Sequence, residues 1–328
     1  MSDFYNDIII DSSVSLRRNL KNYPFCEKMT PAQKNELLSN LMQYIKNKAH
    51  LLPCKFNYNE AVFLSEREFN FLKDYLKLEN FNKTELSSIG IFKAESDKIS
   101  VVINNNEHIG ISALSFGLSL NEAYSKIKYI DNVICDELPL AFNNKIGYLF
   151  SEILENGTGI DAYCTMHLPA LEHTSELKRY SESMKNFGIK IEKTGEFGSI
   201  YKVRNVLKGL VDENEYLENL TAVVRNLAYE EKAARETMFI TDEIKKSIVL
   251  AVEVLKNSME LNYDMLLQMI SLVKIGISEG FIFGINIGEI EKYMDILRDS
   301  SIEYSYEDEN KDRRRAKLIK SIFEKVYY

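Results

Sequence analysis

The spacing of apolar residues changes twice along this 328-residue chain, and the two changes restrict its fold more than any other feature. From about Gly90 the segments "IGIFKA", "KISVVIN" and "HIGISALS" are short and rich in β-branched residues. Ile99, Val101 and Ile103 alternate, which puts them on one face of a strand. Strand signals return in "KIGYLF", "IDAYCTMHL", "GIKIEK" and "GSIYKVRN", with a helix expected over 171–187. From about Asp212 the period becomes helical. Leu217, Leu220, Val224 and Leu227 form one stripe, and Ile244, Ile248, Ala251 and Leu255 a second. Leu266, Ile270, Val273 and Ile277 form a third, which Gly280 ends. Strands joined by short connections and backed by helices predict an α+β fold with a mostly antiparallel sheet.

Upstream of Gly90, "TPAQKNELLSNLMQYIK" reads as a helix. Thr30 is its N-cap, Pro31 fits its first position, Gln33 completes a capping box, and Leu37, Leu41 and Tyr44 share a face. The segments on either side of it read as helical or irregular. A second capping box is expected at Ser119 and Glu122, followed by a stripe of Ala123, Ile127, Ile130 and Ile134. The last segment, "KDRRRAKLIKSIFEKVYY", joins a basic start to a stripe of Ala316, Ile319, Ile322 and Val326. Three consecutive parts follow: 1–88 mainly helical, 89–238 built on the sheet, and 239–328 helical.

The formal net charge of −8 argues against a nucleic-acid role, since a phosphate backbone rewards excess Lys and Arg. No apolar run reaches the roughly 20 residues that span a bilayer, and "MSDFYNDIII" lacks the basic flank of a signal peptide. Cys26, Cys54, Cys135 and Cys164 form no CxxC pair, so neither a metal site nor a disulfide framework is expected, and reduced thiols fit a cytoplasmic location.

The stretch "NGTGIDAYCTMHLPAL" combines a glycine turn with a strand. Gly157 and Gly159 could let backbone amides approach a phosphate or could serve only to make the turn. Asp161 is an acid where a phosphate would want a cation.

Several stretches, in order, resemble the ATP:guanido phosphotransferase family, and within it the bacterial protein-arginine kinases. "SSVSLRRNL" at Ser12–Leu20 lies where the family has SSRxRxxRN. "VVINNNEHIGI" at Val101–Ile111 lies where it has NEEDHxR. "AFNNKIGYLFSEILENGTGIDAYCTMHLPAL" at Ala141–Leu171 is similar to its GYLTxCPTNxGTGxRAS element and MHLPAL ending. "KAARE" at Lys232–Glu236 and "KDRRRAKLI" at Lys311–Ile319 complete the series, the latter close to the RDxxRA element that binds phosphoarginine. The resemblance covers nearly the whole chain. It implies a small helical N-terminal part, an antiparallel sheet flanked by helices, and a C-terminal helical domain for dimerisation and phosphoarginine binding.

The resemblance also implies an ATP and Mg2+ site lined with arginines, whose planar forks bind phosphate oxygens. Those positions hold Ser13, Ser15, Gly110 and Asp161 here, and a fifth matches Glu192. Glu152 stands where the family has a cysteine that helps bind a guanidinium. Asn105 and Asn106 replace two glutamates, leaving Glu107 and His108 as catalytic relics. Glu196 in "GEFGS" stands for a catalytic glutamate. His108 has a second reading, as a hydrogen-bonded structural residue. A carboxylate about 4 Å from a phosphate oxygen costs roughly 4 kcal/mol even at an effective dielectric near 20. The expectation is a pseudokinase, a regulatory or phosphoarginine-binding protein.

The alternative is an active arginine kinase with a relocated ATP site, using Arg17, Arg18, Lys145, Lys202 or Arg204. Of these, Arg18 matches a family arginine, and Arg18 and Arg204 with Gly157 and Gly159 are the candidate residual phosphate contacts. Arg313–Arg315 reads either as a solvated helix face or, with Asp312, Arg315 and Ala316 matching RDxxRA and Lys311 in place of its first arginine, as a phosphoarginine site. The partners implied are a second copy of the chain, an active arginine kinase or its activator, a Clp chaperone system and arginine-phosphorylated protein.

Overall fold

The computed structural model describes residues 5–78, 86, 88–206, 211–236, 241–306 and 309–328. Its strands are β1 (Ile9–Arg18), β2 (Phe56–Glu60), β3 (Gly90–Ala94), β4 (Ile99–Ile103), β5 (Ile109–Phe116), β6 (Phe142–Asn143), β7 (Gly147–Tyr148), β8 (Ile160–His167), β9 (Ile189–Lys193) and β10 (Ile200–Asn205). Its helices are α1 (Pro31–Lys48), α2 (Glu66–Tyr75), α3 (Leu120–Cys135), α4 (Pro169–His173), α5 (Glu176–Lys185), α6 (Glu213–Ala234), α7 (Asp242–Asn257), α8 (Tyr263–Ser278), α9 (Ile287–Leu297), α10 (Asp299–Ser305) and α11 (Lys311–Phe323).

By its own contacts the chain divides into two compact units, neither of them continuous in sequence. One comprises Ser12–Tyr163 and Asn205–Leu220; the other comprises Met1–Asp11, Cys164–Arg204 and Thr221–Tyr328. These boundaries differ from the consecutive blocks 1–88, 89–238 and 239–328, because pairing and packing join segments that are far apart in the chain.

In the Ser12–Tyr163 unit the strand order is β2-β3-β4-β5-β1-β8. The β2-β3, β3-β4 and β4-β5 pairs are antiparallel, with Phe56 opposite Ala94 and Val101 opposite Ile111. Helix α3 packs on β5. Its stripe Ala123, Ile127, Ile130 and Ile134 is fully buried, as the helical period requires. Helix α1 starts at Thr30, whose side chain accepts from the Gln33 N–H while Gln33 returns a bond to the Thr30 N–H.

Three local expectations are corrected. The segment before α1 is not helical or irregular: Ile9–Arg18 is a ten-residue strand, and Phe56–Glu60 after it is another. The alternation in β1 was hidden because Ser12 and Arg18 occupy buried positions beside Val14 and Leu16. Ser119 makes no capping box; its side chain makes no cap bond and its hydroxyl donates instead to the Phe116 carbonyl at 3.0 Å. The helix expected over 171–187 is broken into α4 and α5 at Ser175, whose φ is 63°.

In the second unit the strand order is β1-β8-β10-β9. Ile248, Ala251, Val252 and Leu255 of α7 share one core with Leu266, Ile270 and Val273 of α8, and with Ile290, Leu297, Ala316, Ile319 and Phe323 of α9 and α11. A buried polar clamp joins two stretches that the sequence singled out, "MHLPAL" and "KAARE". Glu231 accepts from the Ala170 and Leu171 N–H groups at 3.1 and 2.9 Å, at the start of α4. Arg235 donates to Glu231 at 2.8 Å, to Asp7 at 3.0 Å and to the His167 carbonyl at 3.3 Å. Glu231 and Arg235 have no exposed surface, so each charge needs this pairing to stay inside. Burial, with Arg235 and Lys274 nearby, holds the His167 imidazole well below its ordinary pKa.

Candidate functional site

Alternation along β1 sends Val14, Leu16 and Arg18 into the core and leaves Ser13, Ser15 and Arg17 half-buried on the other side. The same parity leaves Gly110 half-buried between Ile109 and Ile111 on β5, and Asp161 between Ile160 and Ala162 on β8. The order β5-β1-β8 brings these four positions together on one side of the unit, and the Ser15 hydroxyl lies 3.4 Å from the Asp161 carbonyl. None of the four carries a positive charge. Space is not the reason at Gly110, where an added Cβ would meet only the Val102 carbonyl oxygen at 3.9 Å.

Arg18, the arginine that matches the family pattern, does not face a ligand. It is fully buried and ion-paired with the nearly buried Asp131 at 2.7 Å. Its Nη1 donates to the carbonyls of Arg17 and Thr158 at 2.8 and 3.0 Å, and its guanidinium lies 3.8 Å from the centre of the Tyr148 ring. These contacts use the Arg18 guanidinium within the protein, as one partner of a buried ion pair.

The glycine turn serves the same packing. The Gly157 N–H donates to the Tyr148 carbonyl at 3.1 Å, in a reciprocal bridge, so this amide has its acceptor within the protein. Gly159 has a φ of +71°, and a Cβ there would lie 2.6 Å from the Arg17 carbonyl oxygen and 2.7 Å from Arg18 Nη1. Gly159→Ala is expected to cost about 1–3 kcal/mol through strain and overpacking, whereas Gly110→Ala should change stability by less than about 1 kcal/mol. Urea unfolding of the two variants measures the difference.

His108 has no exposed surface. Its Nδ1 accepts from the Leu20 N–H at 2.9 Å and its Nε2 lies 2.9 Å from the Pro24 carbonyl, which fixes the neutral tautomer protonated on Nε2. Burial lowers its pKa, against the Pro24 contact. Both ring nitrogens are therefore engaged in holding the chain.

Glu107 does reach a cavity. About 440 Å³ in volume, it is lined by Glu27, Glu107, Glu152 and Glu155, with Arg17 and Asn104–Asn106 among the other residues. Glu107 accepts from the Asn19 amide at 2.5 Å and lies 3.7 Å from Arg17. Burial raises the Glu107 carboxyl pKa, Asn19 and Arg17 oppose the rise, and Glu155 and Glu27 add to it. Sequence reasoning singled out Glu107 and Glu152 here but missed Glu27 and Glu155. The one local signal was the acid pair Glu152 and Glu155, which flanks the exposed Ile153 and Leu154.

The remaining candidates lie elsewhere. Glu196 accepts from Arg298 at 3.0 Å in the second unit, and Glu192 pairs with Lys190 at 2.6 Å. Lys202 and Arg204 are half-buried on β10, and Lys145 is exposed in the turn between β6 and β7. The basic start of α11 is met by acids. Lys311 lies 3.0 Å from Asp299 and 3.1 Å from Glu303; Arg313 pairs with Glu260 and Arg314 with Glu309. Arg315 is fully buried. It donates to the Leu297 and Leu261 carbonyls at 2.9 and 2.7 Å, to Asp312 at 2.7 Å and to Asp299. Ala316 belongs to the core. An anion reaching Arg315 would have to displace this set.

Three comparisons bear on this geometry. The family model described as ATP:guanido phosphotransferase, C-terminal catalytic domain, matches residues 9–234. A protein-arginine kinase of Clostridium perfringens is 25% identical over 338 aligned positions, 98% of each chain. One of Clostridium acetobutylicum is 30% identical over 84% of this chain and 83% of its own. Among solved structures, lombricine kinase superposes with a TM-score of 0.61 at 15% identity, covering 72% of this chain and 69% of that one. The duplicated taurocyamine kinase of Schistosoma mansoni, bound to transition-state-analogue components, gives 0.60 at 20% identity, over 76% of this chain and 38% of that one.

Proposed function

Since the chain belongs to the ATP:guanido phosphotransferase family, we propose that it is a pseudokinase of the protein-arginine-kinase type, one that keeps the scaffold and has given up phosphoryl transfer from ATP. The observation that carries this reading is the set Ser13, Ser15, Gly110 and Asp161: four half-buried positions on β1, β5 and β8 with no cation among them and one acid. Phosphoryl transfer consists mostly of positioning and charge neutralisation, and one arginine aimed at the moving phosphoryl contributes about 10³–10⁵ in rate. Arg18 does not make good the loss, because its guanidinium is spent on Asp131 and two carbonyls. The residues present therefore do not fit ATP with Mg2+. A regulatory role, exerted by binding rather than chemistry, is what the retained scaffold then leaves.

The test has two arms. Calorimetric titration of the full chain with ATP and Mg2+ is expected to show no binding at micromolar concentrations. Incubation with γ-labelled ATP and an arginine-rich protein is expected to transfer no label above a no-enzyme control. Tight binding with turnover sinks the proposal and favours an active kinase with a relocated ATP site.

A further inference from the structure

Helix α8 presents one face to a cavity of about 650 Å³ in the unit that contains Thr221–Tyr328. Gln268, Ser271, Leu272 and Ile275 line it, at the spacing of a single helical face. The β9–β10 turn, Pro169 of α4 and Ile244 of α7 line it too. Gly198 fits the turn to the helix: its φ is +89°, and an added Cβ would lie 2.9 Å from the Leu267 carbonyl oxygen. Sites for small molecules are of this size, roughly 300–1,000 Å³, and join an apolar lining to a few placed polar groups.

A buried relay sets what Ser271 can offer. The Arg235 guanidinium carries only donors, and its Nη2 lies 3.4 Å from His167 Nδ1. That nitrogen is therefore the acceptor. Burial and the neighbouring Arg235 keep the imidazole neutral, so its hydrogen sits on Nε2, which donates to Ser271 Oγ at 2.7 Å. His167 thus cannot draw a proton from Ser271, and the pair is not an activated nucleophile. The hydroxyl hydrogen of Ser271 needs another acceptor, and none of the described residues supplies one. Gln268 is exposed and has no hydrogen-bond partner among the described residues.

The charges on the wall are already answered. Glu172 is bonded by Lys193, and Glu196 accepts from Arg298 at 3.0 Å. An ion entering would lose water and meet no unpaired lysine, arginine or carboxylate there. An amide suits the two groups that are left: its carbonyl accepts from the Ser271 hydroxyl, and its N–H donates to Gln268 Oε1. Pro169, Phe197, Ile244, Leu272 and Ile275 offer contacts to an apolar body. We propose that this cavity binds a small uncharged amide with an apolar body, oriented by Ser271 and Gln268. The inference goes beyond the pseudokinase reading and does not rest on it, because Ser13, Ser15, Gly110 and Asp161 belong to the other compact unit.

The probes are 3-phenylpropanamide and its charged isostere 3-phenylpropanoate, titrated by ligand-observed NMR into the full chain. The proteins are the wild type, Gln268→Ala and Ser271→Ala. The wild type is expected to bind the amide saturably below about 10 mM, as a ligand of this size allows. The carboxylate should bind about tenfold more weakly or not at all, having no charge partner. Each variant should weaken the amide about three- to tenfold, the loss of one hydrogen bond. Ser271→Ala also strands the buried Nε2–H of His167; if it does not fold, Gln268→Ala, at an exposed position, decides alone. The proposal is overturned if the wild type shows no saturable binding of the amide, or binds the carboxylate as tightly. Folded variants that bind the amide as the wild type does overturn it as well.

Discussion

Arg18→Ala is expected to destabilise the protein by about 3–5 kcal/mol, the cost of removing one member of a buried ion pair. Arg18 is fully buried and Asp131 is only 4% exposed, so the carboxylate left behind has little water to replace its partner. The carbonyls of Arg17 and Thr158 lose a donor at the same time, and the ring face of Tyr148 loses its cation. The melting midpoint should fall by roughly 5–10 °C. Removing Asp131 as well should recover part of the loss, because the double variant no longer strands a charge. The alternative is that this arginine serves a nucleotide. In that case ATP would raise the melting temperature of the wild type and not of the variant. No ATP-dependent shift is expected in either protein.

Arg315→Ala is expected to be nearly as damaging, at about 2–4 kcal/mol, for a related reason. Four of its N–H donors are spent on two carbonyls and two carboxylates. The cost is set mainly by the Leu261 and Leu297 carbonyls, which lose their donor inside the protein. Asp299 and Asp312 are 43% and 36% exposed, and water screens them when Arg315 is gone. Lys311 behaves differently. It is 43% exposed and paired with acids exposed to a similar degree, so Lys311→Ala should change stability by no more than about 1 kcal/mol. That contrast separates a structural arginine from a binding site. If phosphoarginine is bound at the start of α11, Lys311→Ala weakens the binding while the protein melts as the wild type does. If Arg315 serves only to pin α11, phosphoarginine shows no binding to the wild type, and Arg315→Ala acts on the melting curve alone. Chemical denaturation with a phosphoarginine titration on each variant reads both quantities.

The architecture was legible where one period ran long enough. The stripes of α3, α7 and α8 and the alternation of β4 follow from apolar spacing alone, since each buries one face. The strand β1 was not legible, because a serine and an arginine take core positions in it, and polar residues break the pattern by which a strand is read. The capping box at Ser119 failed for a local reason: the serine hydroxyl found the Phe116 carbonyl, a competing acceptor three residues back. At the candidate site, the lack of a cation at Ser13, Ser15, Gly110 and Asp161 could be read from the chain, because residue type is a property of sequence.

What the sequence determined by itself is thus the family, the α+β class and the identity of four positions, Ser13, Ser15, Gly110 and Asp161, none of which carries a positive charge. Only the tertiary structure decided what the remaining arginines do. Arg18 and Arg315 look alike in sequence to arginines that bind ligands, yet both are enclosed and neutralised. Arg17, which looked like a spare cation, meets Glu155 across 138 residues of chain. The physical reason is the same in each case. Burial and charge pairing set whether a guanidinium is open to a ligand, and both are fixed by segments that meet only when the chain has folded.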